Sequence, residues 1–108
     1  MDQKFKEKFI SLIPYGSENG VPMKILADVF EIPDRQIRKI VELLRKDNVP
    51  ICGDSNGYYF AVSLEEEREY INLVRSRFQS TWAVYQTHDR HLKKMMEAEK
   101  AHDSANRL

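Results

Sequence analysis

The stretch VPICGDSNGYYFA, residues 49–61, decides how this chain is read. It holds the single cysteine, Cys52, a Gly-Asp-Ser-Asn-Gly cluster and two adjacent tyrosines. Two readings compete. In one, Cys52 is a nucleophile and the glycines cradle a phosphate. In the other, the stretch is a β-hairpin that performs no chemistry. The cluster lacks the Gly-Lys-[Ser/Thr] ending and the strand-loop-helix setting of a phosphate loop. A nucleophilic thiol needs a base and an electropositive pocket, and no histidine precedes His88. The hairpin reading has positive support. Val49–Cys52 and Tyr58–Val62 read as short strands, and Asn56-Gly57 between them tolerates the backbone of a tight turn. Strand alternation sets Tyr58, Phe60 and Val62 inward and Tyr59 and Ala61 outward. Cys52 is then a small apolar strand residue.

Upstream of the hairpin the period is helical. Arg35–Asp47 carries Ile37, Ile40, Val41 and Leu44 at i, i+3, i+4 and i+7, with Asp34 as its N-cap. Before it, Ile32-Pro33 ends a short helix over Met23–Phe30, since proline biases its predecessor away from helical geometry. The segment Pro14–Pro22 is rich in breakers and reads as a loop, with an extended piece around Val21. A first helix spans Lys4–Ile13, with Phe5, Phe9, Leu12 and Ile13 on one face.

Downstream, Ser63-Leu64-Glu65-Glu66 is a capping box. The helix it opens runs to about Lys100 without proline or glycine, on the order of 50 Å. Ile71, Val74, Phe78, Thr81, Tyr85, His88, Leu92 and Met95 alternate in steps of three and four, an imperfect heptad seam with Trp82 beside it. A lone helix of this kind is marginal, so the seam calls for burial, either back against the domain or against a second copy. The seam outruns what a small domain covers, and a homodimer through Ile71, Val74, Phe78, Trp82, Tyr85 and Leu92 is expected. Residues 101–108 are expected to fray.

The fold class is thus mainly α with a small β-hairpin and a long C-terminal helix. The divisions are 1–62, 63–100 and a 101–108 tail. The order of elements and the segment MKILADVFEIPDRQIRKIVELLRKDNVPICGDSNGYYFA, residues 23–61, resemble the winged helix-turn-helix of the biotin-repressor type. In that family a strand opening Gly-Tyr follows the wing turn, and Gly57-Tyr58 stands at that place. The whole chain also resembles small phage and prophage proteins of Gram-positive bacteria. No ligase domain accompanies the resemblance, so the repressor's enzymatic half does not carry over.

The resemblance implies that residues 35–47 are a recognition helix for double-stranded DNA. The sequence is compatible with that role. Arg35–Lys46 holds five basic residues and one acid, Glu42, in a chain whose formal net charge is +0. Expected DNA contacts are Lys24, Arg35, Gln36, Arg38 and Lys39, with Ser55, Asn56 and Tyr59 from the wing. Glu42 can neutralise Arg38 or Lys46 at i±4 spacing. The function expected is a transcriptional or phage-replication regulator. The alternative is a winged-helix adaptor that docks proteins and does not bind DNA.

Other chemistry finds little support. His88 and His91 stand at i, i+3 and are read as tolerated seam polarity, so no metal or cofactor is expected. Glu65, Glu66, Glu67 and Glu69 favour a helix N-terminus and are read as structural. One cysteine fits a reducing compartment, and no apolar run approaches the ~18 residues of a membrane span. With no secretion signal read at the N-terminus, a soluble cytoplasmic protein without enzymatic activity or a small-molecule substrate is expected.

Overall fold

The protein is described by a computed structural model over residues 1–106. It is mainly helical, with a small antiparallel hairpin and a long C-terminal helix. The elements are α1 (Gln3–Ser11), a 3-10 turn (Ser17–Asn19), α2 (Met23–Phe30), α3 (Asp34–Lys46), β1 (Cys52–Asp54), β2 (Gly57–Tyr59) and α4 (Leu64–Asn106). The chain divides into two units, Met1–Ile71 and the remainder from Asn72. The first reaches past the boundary expected at 62 and takes in the opening turns of α4.

The core of the first unit follows from helical periodicity. Ile37, Val41 and Leu44 form the buried stripe of α3, with Ile40 half-buried against it. They meet Leu26 and Ala27 of α2, Phe9 of α1, and Ile13 and Ile51 from the connections. Phe5, Phe9 and Phe30 form an aromatic cluster, with ring centroids 4.9 to 6.2 Å apart. Leu12, expected inside, is instead the C-cap of α1 and is exposed. Ile25 and Val29 also lie half open to solvent, because Leu26 and Ala27 take the inward positions of α2.

The helix ends have local causes. Glu31 takes a left-handed conformation (φ 53°) after α2, and Ile32 N–H returns to the Ala27 carbonyl at 3.1 Å before Pro33. Asp34, expected as an N-cap, is the first residue of α3, and Pro33 precedes it without a side-chain cap. At the far end Asn48 is left-handed (φ 68°) and Val49 N–H donates to the Leu44 carbonyl at 2.9 Å. That is the helix-closing pattern for which asparagine is suited. An ion pair from Lys6 to Asp47 joins α1 to this end. The Lys6 ammonium holds the Asp47 carboxyl below its usual range, by its hydrogen bond first and its charge second.

The hairpin is shifted from expectation. β1 begins at Cys52, not Val49, because the amide of Val49 is used to close α3 and Pro50 has no amide to donate. Cys52 pairs with Tyr59, Gly53 with Tyr58 and Asp54 with Gly57, so the loop is only Ser55-Asn56, where the expected strands leave the five residues 53–57 between them. Gly57 carries the positive φ, 120°. Its other side faces Val21, where a Cβ would lie 2.2 Å from the Val21 carbonyl oxygen. Val21 and Tyr58 exchange two backbone hydrogen bonds of 2.9 Å, which bears out the extended piece at Val21. The second strand therefore pairs with β1 on one edge and, through Tyr58, with Val21 on the other.

α4 runs through Asn106, beyond the expected end near Lys100. Of the tail expected to fray, residues 101–106 continue the helix, and 107 and 108 lie outside the described residues. Its start forms half of the expected capping box: Glu66 N–H donates to Ser63 Oγ at 3.1 Å, while the Glu66 carboxylate accepts the Val62 amide in place of the Ser63 amide. No helix among the described residues is long and apolar enough to cross a membrane.

Candidate nucleic-acid interface

The buried stripe of α3 determines what the helix shows outward. With Ile37, Val41 and Leu44 inside, Arg35, Gln36, Arg38, Lys39, Glu42 and Lys46 are exposed. These cations do not stand alike. Lys46 is paired with Glu42 at 3.2 Å, so the acid is spent on Lys46 and not on Arg38. Arg45 turns back: its Nε–H donates to the Ile51 carbonyl at 2.8 Å, and its guanidinium lies 5.5 Å from the centre of the Tyr70 ring. Arg45 therefore helps hold the chain leaving α3.

What remains is Arg35, Arg38 and Lys39 in the first half of α3. None has an ion-pair or hydrogen-bond partner among the described residues. Asp34 shares their turn but lies within ion-pairing distance of none of them. Gln36 is exposed between them. Lys24, on α2, is likewise exposed and unpaired among the described residues. Cations so placed can meet an anion without first giving up an internal partner.

The hairpin tip is a different case. Asp54 accepts the Asn56 amide at 2.8 Å through Oδ1 and the Ser17 hydroxyl through Oδ2. Asn56 Nδ2 donates to the Ser17 carbonyl at 3.3 Å. The tip is thus tied down to the 3-10 turn, and Asn56 is partly committed as a structural donor. Ser55 remains an exposed tip residue.

Tyr58 and Phe60 pack against the core, as the alternation predicts, but Tyr59 and Val62 depart from it in burial. Tyr59 was expected to face outward and contact DNA, yet it is 4% exposed, while Val62, expected inside, is 64% exposed. Tyr59 lies across from Cys52 on the other face of the hairpin, and that face is buried too. Burial raises the phenol of Tyr59, with Cys52, Asp54 and Glu66 adding to it, against a hydrogen bond with Ser17. Tyr59 is removed from the contact set.

Cys52 is buried, and its Sγ–H donates to Glu67 Oε2 at 3.7 Å. Burial, then the Glu67 charge and hydrogen bond, push the thiol up to about 11. A thiol held protonated is a poor nucleophile.

Ser17 and Glu66 carry structure that their positions in the sequence conceal. Glu66 Oε2 accepts the Ser17 amide at 3.0 Å, and Oε1 accepts the Val62 amide at 3.1 Å. One carboxylate therefore joins the 3-10 turn, the end of the hairpin and the start of α4. The capping box signals Glu66, but no local pattern signals Ser17.

The seam residues of α4 are all exposed. Ile71 and Val74 are 43% exposed, and Phe78, Trp82, Tyr85 and Leu92 are 49–64% exposed. Trp82 stacks between Phe78 and Tyr85, at centroid distances of 6.4 and 5.2 Å. His88 and His91 are exposed on the same helix. Among the described residues no group of three or more His, Cys, Asp or Glu is placed to hold a metal ion.

Comparison with protein-family models, curated proteins and solved structures gave no match for this chain.

Proposed function

We propose that this protein binds double-stranded DNA through a winged helix-turn-helix, acting as a homodimer in transcriptional or phage-replication control. In this reading the first half of α3 lies in the major groove. The observation that carries it is the division among the cations of α3. Arg45 and Lys46 have partners within the chain, while Arg35, Arg38 and Lys39 are exposed and unpaired among the described residues on consecutive turns. Such a cluster suits phosphate and base-edge contact, with Gln36 suited to adenine. The tied-down tip leaves Ser55 as the main wing contact.

The test is selection of bound DNA from a random pool, followed by affinity against salt. Reversing Arg35, Arg38 and Lys39 to glutamate is expected to abolish specific binding. Neutralising the three to alanine should flatten the salt slope by up to about three, at roughly 0.9 per phosphate contact. Binding that survives the reversal with an unchanged slope overturns the reading.

A second reading draws on Ile25 and Val29, one turn apart on α2 and about half exposed. An apolar pair at that spacing favours a protein-docking adaptor. Replacing both with serine separates the two: the adaptor loses its partner, while the DNA-binding protein keeps its affinity.

A further inference from the structure

The exposed seam of α4 has matching ends. One seam step before Ile71 stands Glu67, and one step after Met95 stands Glu99. Between these carboxylates lie Ile71, Val74, Phe78, Thr81, Tyr85, His88, Leu92 and Met95. We infer that a second copy of the chain covers this face in antiparallel orientation, with Trp82 at the two-fold axis. The inference rests on the dimer proposed above and goes beyond it in orientation, register and contacts.

The register follows from the two carboxylates. A copy displaced by one heptad in either direction sets Glu67 or Glu99 against apolar seam residues, and a buried, unpaired carboxylate is costly. Glu67 is moreover already engaged by the Cys52 thiol. Only the centred register keeps both acids away from apolar seam residues; in the antiparallel arrangement Glu67 then stands opposite the partner's Glu99 at each end, just beyond the overlap. The overlap from Ile71 to Met95 is then about 36 Å at 1.5 Å per residue.

Orientation follows from what meets across that overlap. In the parallel arrangement each seam residue faces itself, which stacks Thr81 on Thr81 and His88 on His88. Its flanking pairs are Arg77 with Trp82 and Val84 with Asp89, and no opposite charges meet. In the antiparallel arrangement Ile71 faces the partner's Met95 and Val74 the partner's Leu92. Phe78 faces the partner's His88 and Thr81 the partner's Tyr85, so each polar seam residue lies against an aromatic ring. Arg75 meets the partner's Asp89, and symmetry repeats the pair. Asp89 already pairs with Lys93 of its own helix at 3.0 Å and is half-buried, so Arg75 completes a three-charge group.

The centre of the overlap is where the antiparallel arrangement differs most. Trp82 and Val84 flank the seam on opposite sides and are 49% and 57% exposed. In this arrangement each meets its own copy. The Phe78–Trp82–Tyr85 stack thereby supplies aromatic surface from both chains at the axis, and rigid aromatic anchors near an interface centre carry the largest share of binding. Arg77 faces the partner's His91.

Disulfide trapping tests the orientation in the full chain. Arg75→Cys and Asp89→Cys variants, one bearing a size tag, are mixed and oxidised; His88→Cys is oxidised alone. All three positions are exposed or half-exposed, so the fold tolerates them, and unsubstituted protein gives the background from buried Cys52. The expected result is a dimer by light scattering, a link between positions 75 and 89 in the mixture, and none between two His88→Cys chains. In the antiparallel arrangement those two positions lie about 15 Å apart along the axis. Self-linking of His88→Cys overturns the antiparallel orientation and leaves the dimer standing. A dimer with neither link overturns the seam register. A monomer at tens of micromolar overturns the dimer itself, and DNA binding by the α3 cations is read separately.

Discussion

The two units of this chain treat apolar residues in opposite ways. From Met1 to Ile71, Phe9, Leu26, Ile37, Leu44 and Ile51 are almost wholly withdrawn from water. From Asn72 onward, side chains of the same kind, Phe78, Trp82, Val84, Tyr85, Leu92, Met95 and Met96, are 49–64% exposed. The first unit stabilises itself by burial. The second has helix geometry but no intramolecular core among its described residues, and propensity alone leaves such a helix marginal. Periodicity identifies which face of a helix is apolar. It does not say whether the same chain covers that face.

The sharpest way to break this comparison is to remove an aromatic ring from each unit. Phe9→Ala should destabilise the first unit by about 3–5 kcal/mol, as large core truncations do. Phe78→Ala should leave that unit within ~0.5 kcal/mol of the original protein. Urea denaturation followed through the methyl signals of Ile37 and Leu44 reads both. Equal losses would mean the two units share one core.

Next in size is Trp82→Ala. A central aromatic anchor contributes about 2–4 kcal/mol to association. The dimer midpoint should therefore move by more than tenfold in concentration, with the urea midpoint of the first unit unchanged. Sedimentation over a dilution series checks it, and an unmoved midpoint removes Trp82 from the interface.

Gly57→Ala probes the first unit where the backbone is tightest. The left-handed conformation alone sets a cost of about 1–3 kcal/mol, and contact with the Val21 carbonyl adds to it. Loss of the Val21–Tyr58 hydrogen bonds, seen as faster amide exchange at both residues, is the expected signature.

The smallest effect is the pH dependence from Cys52. Its folded-state value is raised to about 11 from 9.0, so its contribution is fully present below pH 9 and is lost as pH rises through 11. The stability difference between the original protein and Cys52→Ala should narrow between pH 8 and 10.5. A constant gap would show that the thiol titrates normally.

The sequence makes some of this architecture legible and hides the rest for physical reasons. α2 and the stripe of α3 are plain because helical periodicity is local and Pro33 marks the break. The hairpin's existence is legible from Asn56-Gly57, but its register is not. Alternation places Tyr58 and Phe60 against the core, yet it does not show that the opposite face, with Cys52 and Tyr59, is buried as well. The basic face was legible as a count and illegible as a set of free charges. Arg45 is identical in kind to Arg38, and its bond to the Ile51 carbonyl depends on how the chain leaves the helix. The bond between Ser17 and Asp54 joins residues far apart in sequence, and nothing near either one announces it.

The clasp at Glu66 bears on where this chain can be cut. Expression ending at Val62 would retain all the elements through β2, yet strip the acceptor from the Ser17 and Val62 amides. It would also discard Glu67, which holds the Cys52 thiol, and Tyr70, against which Arg45 lies. The shortest autonomous fragment therefore ends near Ile71, and the first two turns of the long helix work as the last stitch of the domain that precedes it.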